Sequence, residues 1–166
     1  MDADLLEQLY QKYYGPAVLY CMSLCGEIHL AQDLASDAFV KAYLSLPNDV
    51  PSFRYWLLRV CKNLWIDHLR KRKWEVSGEA LEHMADCSTP ESKYLRDEQK
   101  RCLWQCISEL PPQDRELVTL HYVSELSLQE AARLLGCSYA AARQRMVRLR
   151  HTLKLRMEEM GYGELE

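Results

Sequence analysis

Gly and Pro fall in this sequence where helical patterns stop, and they cut it into segments that must pack on one another to be stable. Short helices in water gain most of their stability from burying an apolar face, not from propensity. Asp4 followed by Glu7 reads as a capping box, and Leu5, Leu6, Leu9, Tyr13 and Ala17 then recur at helical spacing up to Gly26. Gly15-Pro16 lies inside that pattern and is expected to kink it. A second pattern spans about residues 30–46, with Leu34, Ala38 and the cluster from Val40 to Leu44 as its apolar side, and stops at Pro47 and Pro51. Ser52 is suited to cap a third helix whose buried stripe is expected at Phe53, Trp56, Leu57, Val60, Leu64 and Leu69. Thr89-Pro90 opens a fourth, with Leu95, Leu103, Trp104 and Ile107 apolar, which Leu110-Pro111-Pro112 ends. Residues 113–123 follow as a helix with Leu117, Val118, Leu120 and Tyr122. Ser127 and Glu130 make a further capping box, Gly136 ends the short helix they open, and Ser138 caps a last helix reaching about residue 157. No period-2 strand pattern or Asn-Gly hairpin turn is present, so the expected fold class is all-α.

Charge is spread unevenly over this frame. The whole chain of 166 residues carries −3, which on average argues against a nucleic-acid binder. Residues 54–74 nevertheless hold Arg54, Arg59, Lys62, Arg70, Lys71, Arg72 and Lys73 against Asp67 alone, a local +6. Residues 138–156 hold Arg143, Arg145, Arg148, Arg150, Lys154 and Arg156 with no acid, another +6, which leaves −15 on the other 126 residues. Arg59, Asn63, Asp67 and Arg70 share a face of the third helix, where Asp67 can pair with Arg70 or Lys71 at the surface. Residues 75–91 contain five acids and no base, with Gly, Ser, Thr and Pro, and read as a linker. The expected layout is therefore a helical domain over 1–74, an acidic linker over 75–91 and a second helical domain over 92–166.

The short capped helix, the turn at Gly136 and the basic helix after Ser138 form a helix-turn-helix pattern, with Ala132 at the helix crossing. The N-terminal residues of such a second helix meet base edges in the major groove. Here they are Ser138, Tyr139, Ala140, Arg143 and Gln144; Arg can bond guanine in bidentate fashion and Gln can bond adenine. Arg145, Arg148 and Arg150 are placed to meet phosphates.

Other classes find less support. No run approaches the roughly 18 apolar residues needed to span a bilayer, and the acidic start lacks a signal-peptide pattern, so a cytoplasmic location without direct membrane insertion is expected. Seven cysteines are present. Cys21, Cys25 and His29, and again Cys102 and Cys106, stand four apart, but closed zinc sites need four ligands, and buried thiols are the commoner reading. No phosphate loop, nucleophile elbow or dinucleotide motif occurs, so no catalytic residue, cofactor, metal or small-molecule substrate is expected.

Three segments carry a family resemblance. The stretch from Leu110-Pro-Pro-Gln-Asp-Arg-Glu-Leu through Ser127-Leu-Gln-Glu-Ala-Ala-Arg-Leu-Leu-Gly136 resembles the −35 binding domain of bacterial sigma factors. Asp33-Leu-Ala-Ser-Asp-Ala-Phe-Val-Lys-Ala-Tyr43 resembles their polymerase-binding helix, and Ser52-Phe-Arg-Tyr-Trp-Leu-Leu-Arg-Val-Cys-Lys-Asn-Leu-Trp-Ile-Asp-His-Leu-Arg-Lys-Arg72 their −10 helix. Together they cover about residues 5–157 in order, with the length and layout of the extracytoplasmic-function group. Ala140-Ala141-Ala142 stands where the family usually has Gly-Thr-Val, and Ser36-Asp37 where it often has Gln-Glu.

The resemblance implies a non-enzymatic subunit that binds core RNA polymerase, through the β′ clamp helices and the β flap, and directs it to promoter DNA. It implies core contacts at Asp33, Ser36, Asp37 and Val40. It implies −10 contacts at Arg59, Lys62, Asn63, Asp67, Arg70, Lys71, Arg72, Lys73 and Trp74, and −35 contacts at Ser138, Tyr139, Arg143, Gln144, Arg145, Arg148 and Arg150. Trp65 and Trp74 are available as stacking platforms for single-stranded bases, whereas Trp56 reads as core. It also implies an anti-sigma partner, through which the protein could be tethered at a membrane. The competing readings are a stand-alone helix-turn-helix regulator and a thiol or metal sensor acting through protein contacts.

Overall fold

The structure is a computed structural model and describes residues 2–46, 52–75 and 97–162. The chain divides into two compact units, residues 1–86 and 87–166. The described residues are helical, with no strand among them, in agreement with the all-α expectation. The proposed linker over 75–91, the helix start at Thr89-Pro90 and the loop between Pro47 and Pro51 lie outside the described residues, apart from Glu75, which ends a helix.

The first unit is a three-helix assembly of α1 (Ala3–Cys25), α2 (Ile28–Ser45) and α3 (Phe53–Glu75). The cap of α1 is Asp2, whose side chain accepts from the Asp4 N–H, not Asp4 itself. Helix α1 is continuous through Gly15-Pro16 and ends at Gly26 in the left-handed region, φ 71°. Glu27 caps α2 by accepting from the His29 and Leu30 N–H groups, which starts that helix before the expected position. Ser52 caps α3, its Oγ 3.3 Å from the Tyr55 nitrogen, as expected.

The core of this unit explains its compactness. Residues Ala17, Val18, Leu19, Tyr20, Cys21, Met22 and Ser23 are all buried, so this part of α1 is enclosed on every side. Across from it, α2 buries Ala31, Ala35, Ala38 and Ala42, spaced four, three and four apart, which lets the two backbones approach closely. Helix α3 contributes Leu57, Leu58 and Cys61. The expected α3 stripe is corrected here: Phe53, Trp56, Val60, Leu64 and Leu69 are only half-buried, and no residue between 62 and 74 is buried. Trp56 stacks on Phe53 at 6.0 Å, in a ring cluster that runs through Tyr13, Phe53, Phe39, Tyr10 and Tyr14.

The second unit contains α4 (Glu98–Ser108), α5 (Pro112–Val118), α6 (Leu128–Leu135) and α7 (Tyr139–Glu159). Asp97 caps α4, a signal absent from the sequence reading, and Pro112 opens α5. The 113–123 helix does not stay α-helical: Thr119–Val123 widen into a π turn. Glu125 follows it with φ 57°, a left-handed conformation uncommon outside Gly. The Ser127 hydroxyl accepts from the Glu130 N–H at 3.1 Å and donates to its carboxylate at 3.0 Å, as a capping box should. Gly136 is left-handed at φ 75°, and Ser138 caps α7 by accepting from the Ala141 N–H at 3.1 Å. Ala142, Met146, Leu149, Leu153 and Met157 form the buried stripe of α7 and meet Trp104, Ile107, Leu117, Val118, Leu120 and Ala132 in one core.

Two substitutions test these packing assignments. Ala35→Leu overfills the α1–α2 contact and should destabilise the first unit by about 1–3 kcal/mol, read as a lower urea midpoint. Gly136→Ala forces an L-residue into the left-handed region; a Cβ there meets nothing within 4 Å, so the cost is conformational alone, about 1–2 kcal/mol, and should show in the melting of the second unit.

Candidate nucleic-acid interface

Each unit exposes a basic helix face, and each face is described within its own unit. On α3, Arg59, Asn63, Asp67, Arg70, Lys71, Arg72, Lys73 and Trp74 are exposed and Lys62 is half-buried. The buried residues of helix α3, Leu57, Leu58 and Cys61, lie in its first half, and its second half projects four consecutive cations, Arg70 to Lys73, into water. Asp67 and Arg70 pair at 3.9 Å, the exposed one-turn pair expected from their spacing. Trp74 is 91% exposed. Trp65 is half-buried and lies nearly parallel to the His68 ring, centroids 5.8 Å apart. These flat rings and cations on one helix suit single-stranded nucleic acid, whose bases stack and whose phosphates attract positive charge.

Asp33, Ser36, Asp37 and Val40 are all exposed on α2. The apolar side expected over Val40 to Leu44 requires correction, because Val40, Tyr43 and Leu44 are 55%, 51% and 74% exposed while Phe39 and Ala42 take the buried positions. The α2 face thus carries two carboxylates followed by an apolar strip. Sequence reasoning missed Tyr43 and Leu44 as surface residues because helical periodicity marks an apolar stripe without saying whether it has a neighbour in the same chain.

On α7, Ser138, Tyr139, Arg143, Gln144, Arg148 and Arg150 are exposed and Arg145 is half-buried. They differ in what already holds them. The Ser138 oxygen is engaged in the cap of α7. Arg143 lies over the Tyr139 ring, 5.9 Å from its centroid, which restricts a long side chain near the start of the helix. Arg145 pairs with Asp114 of α5 at 3.7 Å. Arg150 donates to the Tyr122 hydroxyl and lies over that ring. Asp114 and Tyr122 have no local sequence signal for these roles, since they meet α7 only through the fold. Gln144 stands free of the stripe, and Val147, 67% exposed, is an aliphatic side chain among the cations.

Among the described residues, no three of His, Cys, Asp and Glu come together to hold a metal ion. Cys21 and Cys25 are buried while His29 is exposed, which separates the trio suggested by spacing. A hydrogen bond with Cys61, followed by burial, holds the Cys21 thiol well above its ordinary range. No helix among the described residues is long and apolar enough to cross a membrane.

The α2 strip yields a direct check. Leu44→Ser should change unfolding free energy by less than about 0.5 kcal/mol in urea titration, as an exposed substitution does. Phe39→Ala, five residues earlier and buried, should cost about 3–5 kcal/mol in the same measurement.

Residues 9–75 match the family model described as Sigma-70 region 2, and residues 100–153 match Sigma-70, region 4. The ECF RNA polymerase sigma factor SigM of Bacillus subtilis is 32% identical over 151 residues, covering 90% of this chain and 93% of that protein. SigW of the same organism is 30% identical, covering 96% and 92%. The sigma factor RpoE, solved in complex with the anti-sigma factor NepR from Bartonella quintana, superposes with a TM-score of 0.69 at 22% identity, covering 95% of this chain and 98% of that one. CnrH, solved in complex with the cytosolic domain of CnrY, gives 0.61 at 21% identity, covering 95% and 90%.

Proposed function

The chain belongs to the extracytoplasmic-function group of the sigma-70 family, and from that premise we propose how its two units divide the work of promoter recognition. The observation that carries the proposal is the exposure of cations on α3 and on α7, one set in each unit, on helices whose other residues are buried in their own unit: Leu57, Leu58 and Cys61 on α3, and the stripe from Ala142 to Met157 on α7. The first unit binds the −10 element through α3. Its projecting cations Arg70 to Lys73 follow the backbone, and Asn63 and the rings of Trp65 and Trp74 engage bases of the open strand. The second unit reads the −35 element in duplex form. Arg143, steadied by Tyr139, and Gln144 face base edges, while Arg148 and Arg150 meet phosphates. Arg145, tied to Asp114, orients α7 and adds a phosphate contact.

The α2 face is the core polymerase surface. Asp33, Ser36 and Asp37 supply polar and acidic contacts for the basic β′ clamp helices, and Val40, Tyr43 and Leu44 supply apolar area. The second unit meets the β flap. The protein performs no chemistry itself; the polymerase does. It acts in the cytoplasm, and an anti-sigma partner holds it inactive by covering one of these faces, by analogy with RpoE in its complex with the anti-sigma factor NepR.

Transcription from a cognate promoter by core polymerase plus this chain tests the reading. Leu44→Ser should lower core affinity with the fold intact. Arg143→Ala should cost about 1–3 kcal/mol of promoter affinity and relax selectivity at one −35 position. Arg148→Ala should weaken all promoters alike and reduce the log–log salt slope by about 0.9. Unchanged selectivity in Arg143→Ala would remove that residue from base reading, and initiation unaffected by Leu44→Ser would remove the α2 strip from the core contact.

A further inference from the structure

The end of α7 closes on α4 through sulfur, in a place that the promoter and polymerase surfaces do not use. The Cys106 thiol donates to the Met160 thioether, with the two sulfurs 3.7 Å apart. Cys102 stands one helical turn before Cys106 on α4, and its thiol is the foremost cause that pushes the neighbouring Tyr162 hydroxyl up to about 12. The segment from Met160 to Tyr162 therefore lies against the turn of α4 that carries both cysteines, with Met160 on Cys106. It is fixed there by the Tyr162 N–H on the Met157 carbonyl at 2.9 Å and by Arg156, which reaches the Cys106 carbonyl at 3.4 Å and the Glu109 carboxylate at 3.6 Å.

We propose that Cys102, Cys106 and Met160 form a binding site for a soft monovalent cation, Cu(I). The donor set selects the metal. Thiolate and thioether sulfur favour Cu(I), whereas structural zinc is held by four ligands drawn from Cys, His and carboxylates. The spacing agrees as well. Metal–sulfur bonds of about 2.3 Å in a three-coordinate planar centre put the sulfurs about 4 Å apart, close to the Cys106–Met160 separation already present. Access is open from one side, since Met160 is exposed and Cys102 half-buried while Cys106 is buried. On binding, both thiols give their protons to solvent and no electron is transferred, so the centre carries one net negative charge. The Arg156 guanidinium beside Cys106 offsets that charge, and the Tyr162 hydroxyl donates to the Cys102 thiolate, as an outer-shell group that orients a ligand. The bound ion would tie the last turn of α7 to α4.

Reduced full-length protein should be titrated anaerobically with Cu(I) against a chromophoric Cu(I) chelator. The intact chain should hold one equivalent that Cys102→Ser/Cys106→Ser lacks and that Cys87→Ser/Cys137→Ser retains. Met160→Leu, which keeps the side-chain volume and removes the thioether, should weaken that equivalent by at least about tenfold, and Tyr162→Phe by about tenfold. X-ray absorption should show sulfur ligands only, and excess Zn(II) should not displace the ion. Equal Cu(I) stoichiometry in the intact chain and in Cys102→Ser/Cys106→Ser overturns the site, as does wild-type affinity in Met160→Leu. Circular dichroism identifies a misfolded double variant, in which case Met160→Leu alone decides.

Discussion

A helix that carries several adjacent cations can be kept in place only if another part of it is firmly buried, and both candidate nucleic-acid helices of this protein meet that requirement. Helix α3 is held by Leu57, Leu58 and Cys61 in the core of the first unit, no residue between 62 and 74 is buried, and Arg70 to Trp74 are exposed. Helix α7 is held by a regular stripe from Ala142 to Met157, with its arginines on the remaining surface. Burying an apolar side chain fully is worth about 1.5–3 kcal/mol, while like-charged neighbours on a solvated helix cost only tenths. A few buried residues therefore outweigh the repulsion among Arg70, Lys71, Arg72 and Lys73, and the charge is presented instead of being lost to fraying.

The same burial decides which cations are free to act. Arg143 and Gln144 lie early on α7 with only Tyr139 beside the arginine, whereas Arg145 and Arg150 are already engaged by Asp114 and Tyr122. A side chain held by its own fold loses less conformational freedom when it meets a phosphate, so these contacts favour orientation over reach. On α2 the column of buried alanines turns Val40, Tyr43 and Leu44 outward, which leaves an apolar strip exposed among the described residues.

Much of this was legible from residues whose signals are local. Gly26, Ser52, the Ser127–Glu130 box, Gly136 and Ser138 mark helix ends because capping involves atoms within one turn. The exposed cations of α3 and α7 followed from charge clustering, since such runs are rarely buried. Features that depend on distant neighbours were not legible. The π turn at Thr119–Val123, the Asp114–Arg145 pair and the contact of Met160 with Cys106 join residues by packing alone. The outward strip on α2 was misread for the same reason, because Val40 and Phe39 look alike in a sequence and differ only in which way α2 rolls against α1.

In the proposed function, promoter recognition is divided between two basic faces on an otherwise acidic chain, and so depends on core polymerase. The −15 carried outside the two basic stretches repels phosphate, and in the proposed function the polymerase supplies the attraction that the chain lacks. Footprinting of a cognate promoter with the chain alone, core polymerase alone and the two combined measures this directly. Protection of two separate segments, at −10 and −35, only when both are present is the predicted result. Tight, sequence-specific protection of the duplex by the chain alone would contradict it.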